Sequence, residues 1–201
     1  MIMTTKRAPL AGRERILHSA ARLFLERGYA ETSIRSIADA VEIKPASIYH
    51  HFDSKDALLT EILDIGMDAV TTAFEAVRQD MDADADGPTR LERHVAGHLH
   101  ALFANQAFTA AHVTVFPFAP KSVRATAVPQ RDAYEASWSE LLSSIALGLD
   151  EEALRLVRLS LFGAMNSTIQ WFDPAAGSLD TLASNMVATL WSGLGRMEDA
   201  R

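Results

Sequence analysis

Apolar residues recur at helical spacing, three or four positions apart, over most of this chain. In the first such stretch, residues 9–27, Ile16, Ala20, Leu23 and Phe24 share one face, and Gly28 is a natural stop. The same spacing predicts further helices over 33–40, 45–51, 54–81, 89–105, 130–146, 150–172 and 178–194. The alternation that marks a strand is not evident, so the pattern predicts an all-α protein.

Three prolines interrupt the pattern in the middle of the chain. Pro117, Pro120 and Pro129 fall within residues 106–129. A proline inside a helix removes a backbone hydrogen bond and clashes with the preceding turn. We therefore expect residues 106–129 to be irregular rather than one continuous helix.

Residues 32–55 have the arrangement of a helix-turn-helix, with two short helices, a tight turn between them and the start of a long helix after them. Thr32 and Ser33 are good N-cap residues, and Pro45 suits the first position of the second helix. The apolar positions predict a buried seam of Ile34, Ile37, Ala38, Val41, Ile48 and Phe52. Because the second helix of this motif lies in the major groove of DNA, the sequence predicts that the first quarter of the chain binds DNA.

The helix predicted over 150–172 has an unusually broad apolar surface, with one stripe that includes Leu161, Met165 and Ile169 and further apolar residues beside it. A helix that is apolar beyond one stripe is usually buried on more than one side. Gly163 and Ala164 would allow another helix to approach closely. The pattern therefore predicts a homodimer.

The charge of the chain changes sign where the helix-turn-helix ends. Residues 1–60 contain nine Lys and Arg against seven Asp and Glu, whereas residues 61–201 contain ten against nineteen. Such a division keeps the acidic part away from DNA while the basic part meets the phosphates. Cysteine is absent, and no apolar run approaches the roughly 20 residues that span a bilayer. We therefore expect a cytoplasmic protein with no membrane partner.

Residues 13–59 resemble the TetR family of bacterial transcriptional repressors. The resemblance is carried by Gly28-Tyr29, by Thr32-Ser33-Ile34 and above all by Ala46-Ser47-Ile48-Tyr49-His50-His51-Phe52 with Ser54-Lys55. One position departs from the family, because Glu42 stands in the turn where the family commonly has glycine. A left-handed backbone there would cost a non-glycine residue about 1 kcal/mol.

The resemblance implies a role for each polar residue of the motif. It implies that Thr32, Ser33 and Tyr49 contact phosphates, and that Lys55 adds positive charge at the start of the fourth helix. It makes Arg35, Lys44, Ser47 and His50 candidates for contacts with base edges or further phosphates. Family repressors dimerise through their last two helices, which implies an interface formed by Leu161, Met165, Ile169, Met186, Leu190 and Leu194.

Residues 130–194 are similar to a TetR subgroup that responds to acyl-coenzyme A thioesters from fatty-acid or steroid breakdown. The similar segments are 130–135 and 166–178. The resemblance implies a small hydrophobic effector, and the candidate ligand-binding residues are His98, Leu102, Phe103, Phe116, Tyr134, Trp138 and Asn166. Ordinary core packing explains the aromatic residues equally well. Five cations are available for the phosphates of coenzyme A: Arg90, Arg93, Lys121, Arg124 and Arg131.

The expected architecture is an N-terminal three-helix DNA-binding domain, residues 1–53, and a larger helical ligand-binding and dimerisation domain, residues 54–201. The expected function is a repressor that a small hydrophobic ligand, favoured as an acyl-coenzyme A thioester, releases from a palindromic operator. An efflux-pump repressor that senses drugs or toxic compounds is the alternative. A small helical enzyme is a distant alternative, but no nucleophile–base–acid set is recognisable, so we expect no enzyme. We also expect no cofactor.

Two patterns suggest a metal without completing a site. His94 and His98 lie one helical turn apart, a spacing that can bind a divalent metal, but no third ligand is identifiable. Residues 82–87 imitate the start of a calcium-binding loop, yet Arg93 falls where that loop needs a bidentate glutamate. A metal sensor therefore remains a distant alternative, and no metal site is predicted.

Overall fold

The computed structural model of the chain describes residues 12–145 and 148–199, with side chains up to residue 193. Pro9 and the predicted first turn lie outside these residues. The described chain is helical without strands, which confirms the all-α prediction. Its helices are α1 (Gly12–Arg27), α2 (Ile34–Ala40), α3 (Pro45–Tyr49), α4 (Lys55–Gln79), α5 (Gly87–Ala104), α6 (Gln106–Thr114), α7 (Lys121–Ser144), α8 (Glu151–Ser167) and α9 (Leu179–Asp199).

Residues 106–129 do not form one continuous helix, as expected, but they are more helical than the sequence indicated. This segment contains α6, a short 3₁₀ turn at Phe116–Phe118 and the first nine residues of α7. Pro117 and Pro120 flank the break between the helices, but Pro129 lies inside α7 and is exposed. Buried residues on both sides of it, Ala127 and Tyr134, keep the helix packed, which offsets the one backbone hydrogen bond that proline cannot make.

The ends of several other helices also differ from the prediction, and α9 runs five residues further, to Asp199. Helix α3 ends at Tyr49 rather than at 51, and α8 ends at Ser167, where a 3₁₀ turn over Thr168–Gln170 replaces the last predicted turn. Apart from the extension of α9, these are differences of one or two residues or of one tightened turn, as helix ends commonly show.

The helix-turn-helix region shares one hydrophobic core with two later helices. Helices α1, α2 and α3 pack against the beginning of α4 and also against α6, the 3₁₀ turn and the start of α7. We call this cluster the head core; its members from outside the motif include Leu58, Leu59, Ile62, Leu63, Phe108, Ala111, Val115, Phe116, Ala119, Val123 and Ala127. The predicted seam lies in it, with Ile37, Ala38, Val41, Ile48 and Phe52 buried and Ile34 partly buried. The predicted boundary at residue 53 therefore does not separate two hydrophobic cores.

Helices α4 and α6 cross at very close range beside Gly66. A Cβ atom at this position would lie 2.8 Å from the carbonyl oxygen of Phe108. Only glycine therefore allows this crossing, which brings α6 backbone against α4.

The second hydrophobic core joins the far end of α4 to α5, α7, α8 and α9. Trp138, Leu91, Leu99 and Met165 are fully buried within it. Aromatic rings of Phe74, His94, His98, Tyr134, Trp138 and Phe162 contact one another at its centre, with centroids 4.5–6.3 Å apart. No helix in the described ranges is long and apolar enough to cross a membrane.

Candidate DNA-binding surface and effector cavity

The turn between α2 and α3 is closed by a left-handed residue that is not glycine. Glu42 has a φ of +58°, the amide of Ile43 donates to the Ala38 carbonyl at 3.0 Å, and the amide of Glu42 donates to the Asp39 carbonyl at 3.2 Å. This is the hydrogen-bond pattern of the Schellman motif, in which glycine normally occupies the position of Glu42. The unusual turn expected from the sequence is therefore present.

Helix α2 is fixed at its start by a reciprocal serine cap. The Ser36 amide donates to the Ser33 hydroxyl at 3.0 Å, and the Ser33 amide donates to the Ser36 hydroxyl at the same distance. Both groups are exposed or half-buried. The cap satisfies backbone donors at the helix start and leaves Ser33 at the surface.

The expectation that the Thr32 hydroxyl meets a phosphate is corrected by its burial. Thr32 is only 1% exposed, and its hydroxyl lies 2.9 Å from the Gly28 carbonyl and 3.2 Å from the Leu23 carbonyl. Because a hydroxyl has one proton to donate and this one faces the inside, Thr32 joins α2 to the end of α1 instead.

The remaining predicted DNA contacts on α2 and α3 lie at the surface. Arg35, Lys44 and His50 are exposed, Tyr49 is 55% exposed, and Ser47 is half-buried. The exposed ring and hydroxyl of Tyr49, at the end of α3, are available to contact a phosphate or a base. Arg35 lies on α2, Ser47 and Tyr49 lie on α3, and Lys44 and His50 flank α3.

Lys55 has an internal role that the sequence did not suggest. Its ammonium donates to the carbonyls of Tyr29 at 2.9 Å and Thr32 at 2.8 Å, and it lies 4.0 Å from the centre of the Tyr29 ring. The Tyr29 hydroxyl in turn donates to Asp56. Lys55 therefore ties the start of α4 to the loop before α2, with one N–H left for a phosphate.

A cavity of about 140 Å³ lies between five helices of the larger part of the chain. Gly66, Met67 and Val70 of α4 line one side of it, and the other lining residues are His98, Leu102, Thr109, His112, Val113, Arg131, Tyr134, Glu135, Leu159, Phe162 and Asn166. Most of this lining is apolar. A cavity with apolar surface and polar groups at defined positions is the usual form of a small-molecule site.

Three of the polar lining residues form a hydrogen-bonded row across α7, α5 and α8. The Tyr134 hydroxyl lies 2.8 Å from Nδ1 of His98, and Nε2 of His98 lies 3.4 Å from Oδ1 of Asn166. Burial lowers the pKa of His98 to about 4, partly offset by the bond to Asn166. Burial also raises the pKa of Tyr134. All three groups are therefore neutral at physiological pH, and we call them the polar row.

Charged groups gather at another part of the cavity wall. Glu135 forms ion pairs with Arg158 and, at 3.6 Å, with Arg131. The guanidinium of Arg131 also lies 4.6 Å from the centre of the Phe116 ring, and Nε of Arg158 is buried without a hydrogen-bond partner. Two cations therefore face one carboxylate here, leaving net positive charge beside an apolar cavity.

Known protein families match both the helix-turn-helix region and the part of the chain that forms the cavity. Residues 16–62 match the family described as bacterial regulatory proteins, tetR family, and residues 84–194 match the tetracyclin repressor-like C-terminal domain. The chain belongs to the TetR family. It is a helix-turn-helix transcriptional regulator, the class of protein to which the resemblance of residues 13–59 assigned it.

Individual relatives cover nearly the whole chain. The HTH-type transcriptional repressor KstR2 of Rhodococcus jostii is 29% identical over 191 residues, which are 90% of each protein. A TetR-family regulator from Bordetella parapertussis has a TM-score of 0.77 at 27% identity, covering 89% of this chain and 93% of its own. AibR in complex with isovaleryl coenzyme A and operator DNA has a TM-score of 0.70 at 24% identity, covering 88% and 96%, which shows a shared fold.

Four of the seven predicted ligand-binding residues of this TetR regulator line the cavity: His98, Leu102, Tyr134 and Asn166. The other three do not. Trp138 is fully buried behind Tyr134, Phe116 lies in the head core under Arg131, and Phe103 contacts Phe172. Sequence reasoning missed the α4 and α6 walls, since residues such as Val70 and Val113 look like ordinary helix-face residues until the helices are placed.

Two of the six predicted dimer-interface residues of this TetR regulator face their own core, and the others stay predictions. Leu161 and Met165 are buried in their own protomer, and Ile169, Met186 and Leu190 are partly buried against the same core. The side chain of Leu194 lies outside the described residues. The outward face of α8 is formed by other residues: Leu156, Leu159, Ser160, Gly163 and Ala164, with Trp171 beyond them.

The histidines considered as metal ligands make hydrogen bonds within the protein, although Nε2 of His94 is buried without a partner. His94 donates from Nδ1 to the Arg90 carbonyl at 2.7 Å, and both nitrogens of His98 belong to the polar row. Across the part of the chain that the structure describes, no three His, Asp or Glu side chains are grouped to hold a metal ion.

Proposed function

We propose that this TetR regulator is a homodimeric repressor that binds a palindromic operator and releases it when an acyl-coenzyme A thioester enters the cavity. We expect it to act in the bacterial cytoplasm. The observation that carries the proposal is the cavity itself, with its apolar walls, polar row and neighbouring Arg131 and Arg158. An acyl chain suits the apolar walls, and arginines suit the anionic and polar groups of coenzyme A.

The position of α4 supports a coupling between effector and operator. Gly66, Met67 and Val70 of this helix line the cavity, whereas Leu59 and Leu63, one or two turns earlier, lie in the head core. His112 of α6 adds a second link, since its Nε2 lies 2.7 Å from the Leu63 carbonyl. A ligand that shifts α4 would thus shift the head, provided that it binds the two arrangements with different affinity.

The relatives support the class of regulation without fixing the effector. KstR2 is named a repressor, and AibR shows that a protein of this fold holds isovaleryl coenzyme A together with operator DNA in one complex. The exposed residues Arg35, Lys44, Tyr49 and His50 and the half-buried Ser47 would contact DNA in the proposed repressor.

The test is a binding assay with DNA from the region upstream of the regulator's own coding sequence. Fluorescence anisotropy at about 0.15 M salt should show binding at least about 1,000-fold tighter than to shuffled DNA. Acyl-coenzyme A thioesters of increasing chain length should then be added, and at least one should release the DNA. Equal binding to both DNAs would refute the repressor. Release by hydrophobic drugs but by no thioester would favour an efflux-pump repressor.

A further inference from the structure

The polar row has a defined hydrogen-bond direction. Oδ1 of Asn166 can only accept, so Nε2 of His98 must carry the proton that lies between them. A neutral imidazole has only one N–H, which leaves Nδ1 of His98 as an acceptor. The Tyr134 hydroxyl, 2.8 Å away, therefore donates to it. The row runs as donations from Tyr134 to His98 and from His98 to Asn166.

This direction determines which part of the Asn166 amide is available. Because its oxygen receives the His98 proton, its amide nitrogen is the end left for the cavity. Asn166 is half-buried and lines the cavity, and Nδ2 makes no hydrogen bond to any residue in the described part of the chain. The row thus presents an N–H donor to the cavity.

We infer that the effector places a carbonyl oxygen against Nδ2 of Asn166. The inference rests on the proposed function, in which the cavity holds the effector. A carbonyl oxygen accepts a hydrogen bond and needs to donate none, so it satisfies this amide without leaving a new group unpaired. The side chains of Met67, Leu102 and Phe162 line the same cavity and have no hydrogen-bond donor. Tyr134 and His98 act as positioning residues, since they fix the orientation of the amide.

An acyl-coenzyme A thioester offers two sources of such an oxygen. One is the thioester carbonyl, and the other is a keto group on the acyl chain. The two sources are separated by matched probes. Replacing the thioester carbonyl by a methylene gives a thioether analogue, and removing a keto group gives the corresponding saturated acyl thioester.

The experiment measures binding of saturated and 3-ketoacyl-coenzyme A of four to sixteen carbons, and of the thioether analogue of the tightest binder. Calorimetry with the full-length regulator gives the affinity ratio within each pair. In one of the two pairs, one compound has the recognised carbonyl and the other lacks it. The compound that lacks it loses one hydrogen bond and should bind about tenfold more weakly. In Asn166→Asp, which keeps the shape but replaces the donor with a carboxylate, that ratio should fall to about one.

Two further variants show whether a changed affinity ratio comes from the Asn166 amide or from a general loss of stability. Tyr134→Phe keeps Asn166 but removes the hydroxyl that fixes the direction of the row, so the ratio should fall partway. Gln79→Glu makes the same amide-to-carboxylate change on an exposed residue outside the cavity, and the ratio should keep its wild-type value. If Asn166→Asp lowers the melting temperature, the affinity ratio in Tyr134→Phe still tests the contact between Asn166 and the carbonyl.

The outcomes distinguish this inference from the function on which it rests. Thioesters that bind with no preference in either pair would overturn the carbonyl contact and leave the proposed function standing. A preference that persists unchanged in Asn166→Asp would overturn it as well. Failure of every thioester to bind would overturn both.

Discussion

Glu42 adopts a backbone conformation that is unfavourable for a residue other than glycine. Its left-handed φ of +58° closes the turn between α2 and α3, although its side chain is exposed and forms no part of the head core. This conformation raises the free energy of a residue that has a Cβ atom, whereas glycine adopts it without that cost. The departure from the family pattern was visible in the sequence, and so was its physical consequence.

Replacing Glu42 with glycine should therefore stabilise the protein. We expect Glu42→Gly to raise the free energy of unfolding by about 1 kcal/mol, measured by urea denaturation. Glu42→Ala is the matched control, because it removes the same charge but keeps the Cβ atom. An equal gain in both variants would show that charge rather than backbone conformation is responsible.

His98 predicts a second effect at the residue scale, on the dependence of stability on pH. Its pKa of about 4 in the folded protein lies below the ordinary value of 6.5. As the pH falls below 6.5, the unfolded chain therefore binds a proton that the folded protein does not, and stability decreases. Between pH 7 and pH 5 this residue should cost about 2 kcal/mol.

The measurement compares urea unfolding at pH 7 and pH 5 for the wild type and His98→Gln. Glutamine does not titrate, so the loss of stability between the two pH values should be smaller in the variant by about 2 kcal/mol. His50→Gln removes an exposed histidine and is the control. An unchanged pH difference in His98→Gln would contradict the expectation.

At the scale of elements, helical spacing predicted most helices, and its failures have physical causes. Helix α7 contains Pro129, which local rules place in a break, because packing of Ala127 and Tyr134 on its buried face outweighs one missing hydrogen bond. The apolar stripe of α8 was predicted, but which side faces outward was not. Leu161 and Met165 look identical to interface residues until neighbouring helices are placed.

Helices α2 and α3 carry the DNA-binding prediction at this scale. Arg35 is exposed on α2, so in the proposed repressor it adds a positive charge at the DNA surface. If it contacts a phosphate, Arg35→Met should weaken operator and shuffled DNA alike and reduce the slope of log K against log salt by about one. Arg155→Met, on the exposed start of α8, is the control and should leave the slope unchanged. A loss confined to operator DNA would instead assign Arg35 to a base edge.

At the scale of the whole molecule, the predicted dimer requires an apolar surface that is exposed in the isolated protomer. The outward face of α8 offers Leu156 at 52% exposure and Leu159 at 44%, with small residues Gly163 and Ala164 beside them. No atom lies within 4 Å of a Cβ built on Gly163, so a second helix has room to approach. Exposed apolar patches of this kind commonly mark interaction sites.

A charge placed on this face should therefore separate the protomers. We expect Ala164→Glu to give a monomer by light scattering and to lose operator binding, because two linked heads are needed to read a palindrome. Ala136→Glu makes the same change at an exposed position of α7 and should stay dimeric. A dimer of unchanged stability in Ala164→Glu would move the interface elsewhere.

The head core limits how this protein can be recombined with its relatives. Eleven of its buried members lie beyond the helix-turn-helix itself: nine in α4, α6, the 3₁₀ turn and α7, and Val115 and Ala119 on either side of the 3₁₀ turn. A chimaeric regulator joined at residue 53 would place a foreign motif against Phe108, Ala111, Val115 and Val123, whose shapes fit the original helices. Engineers who wish to give this sensor a new operator should transplant the matching patch on α6 and α7 together with the head.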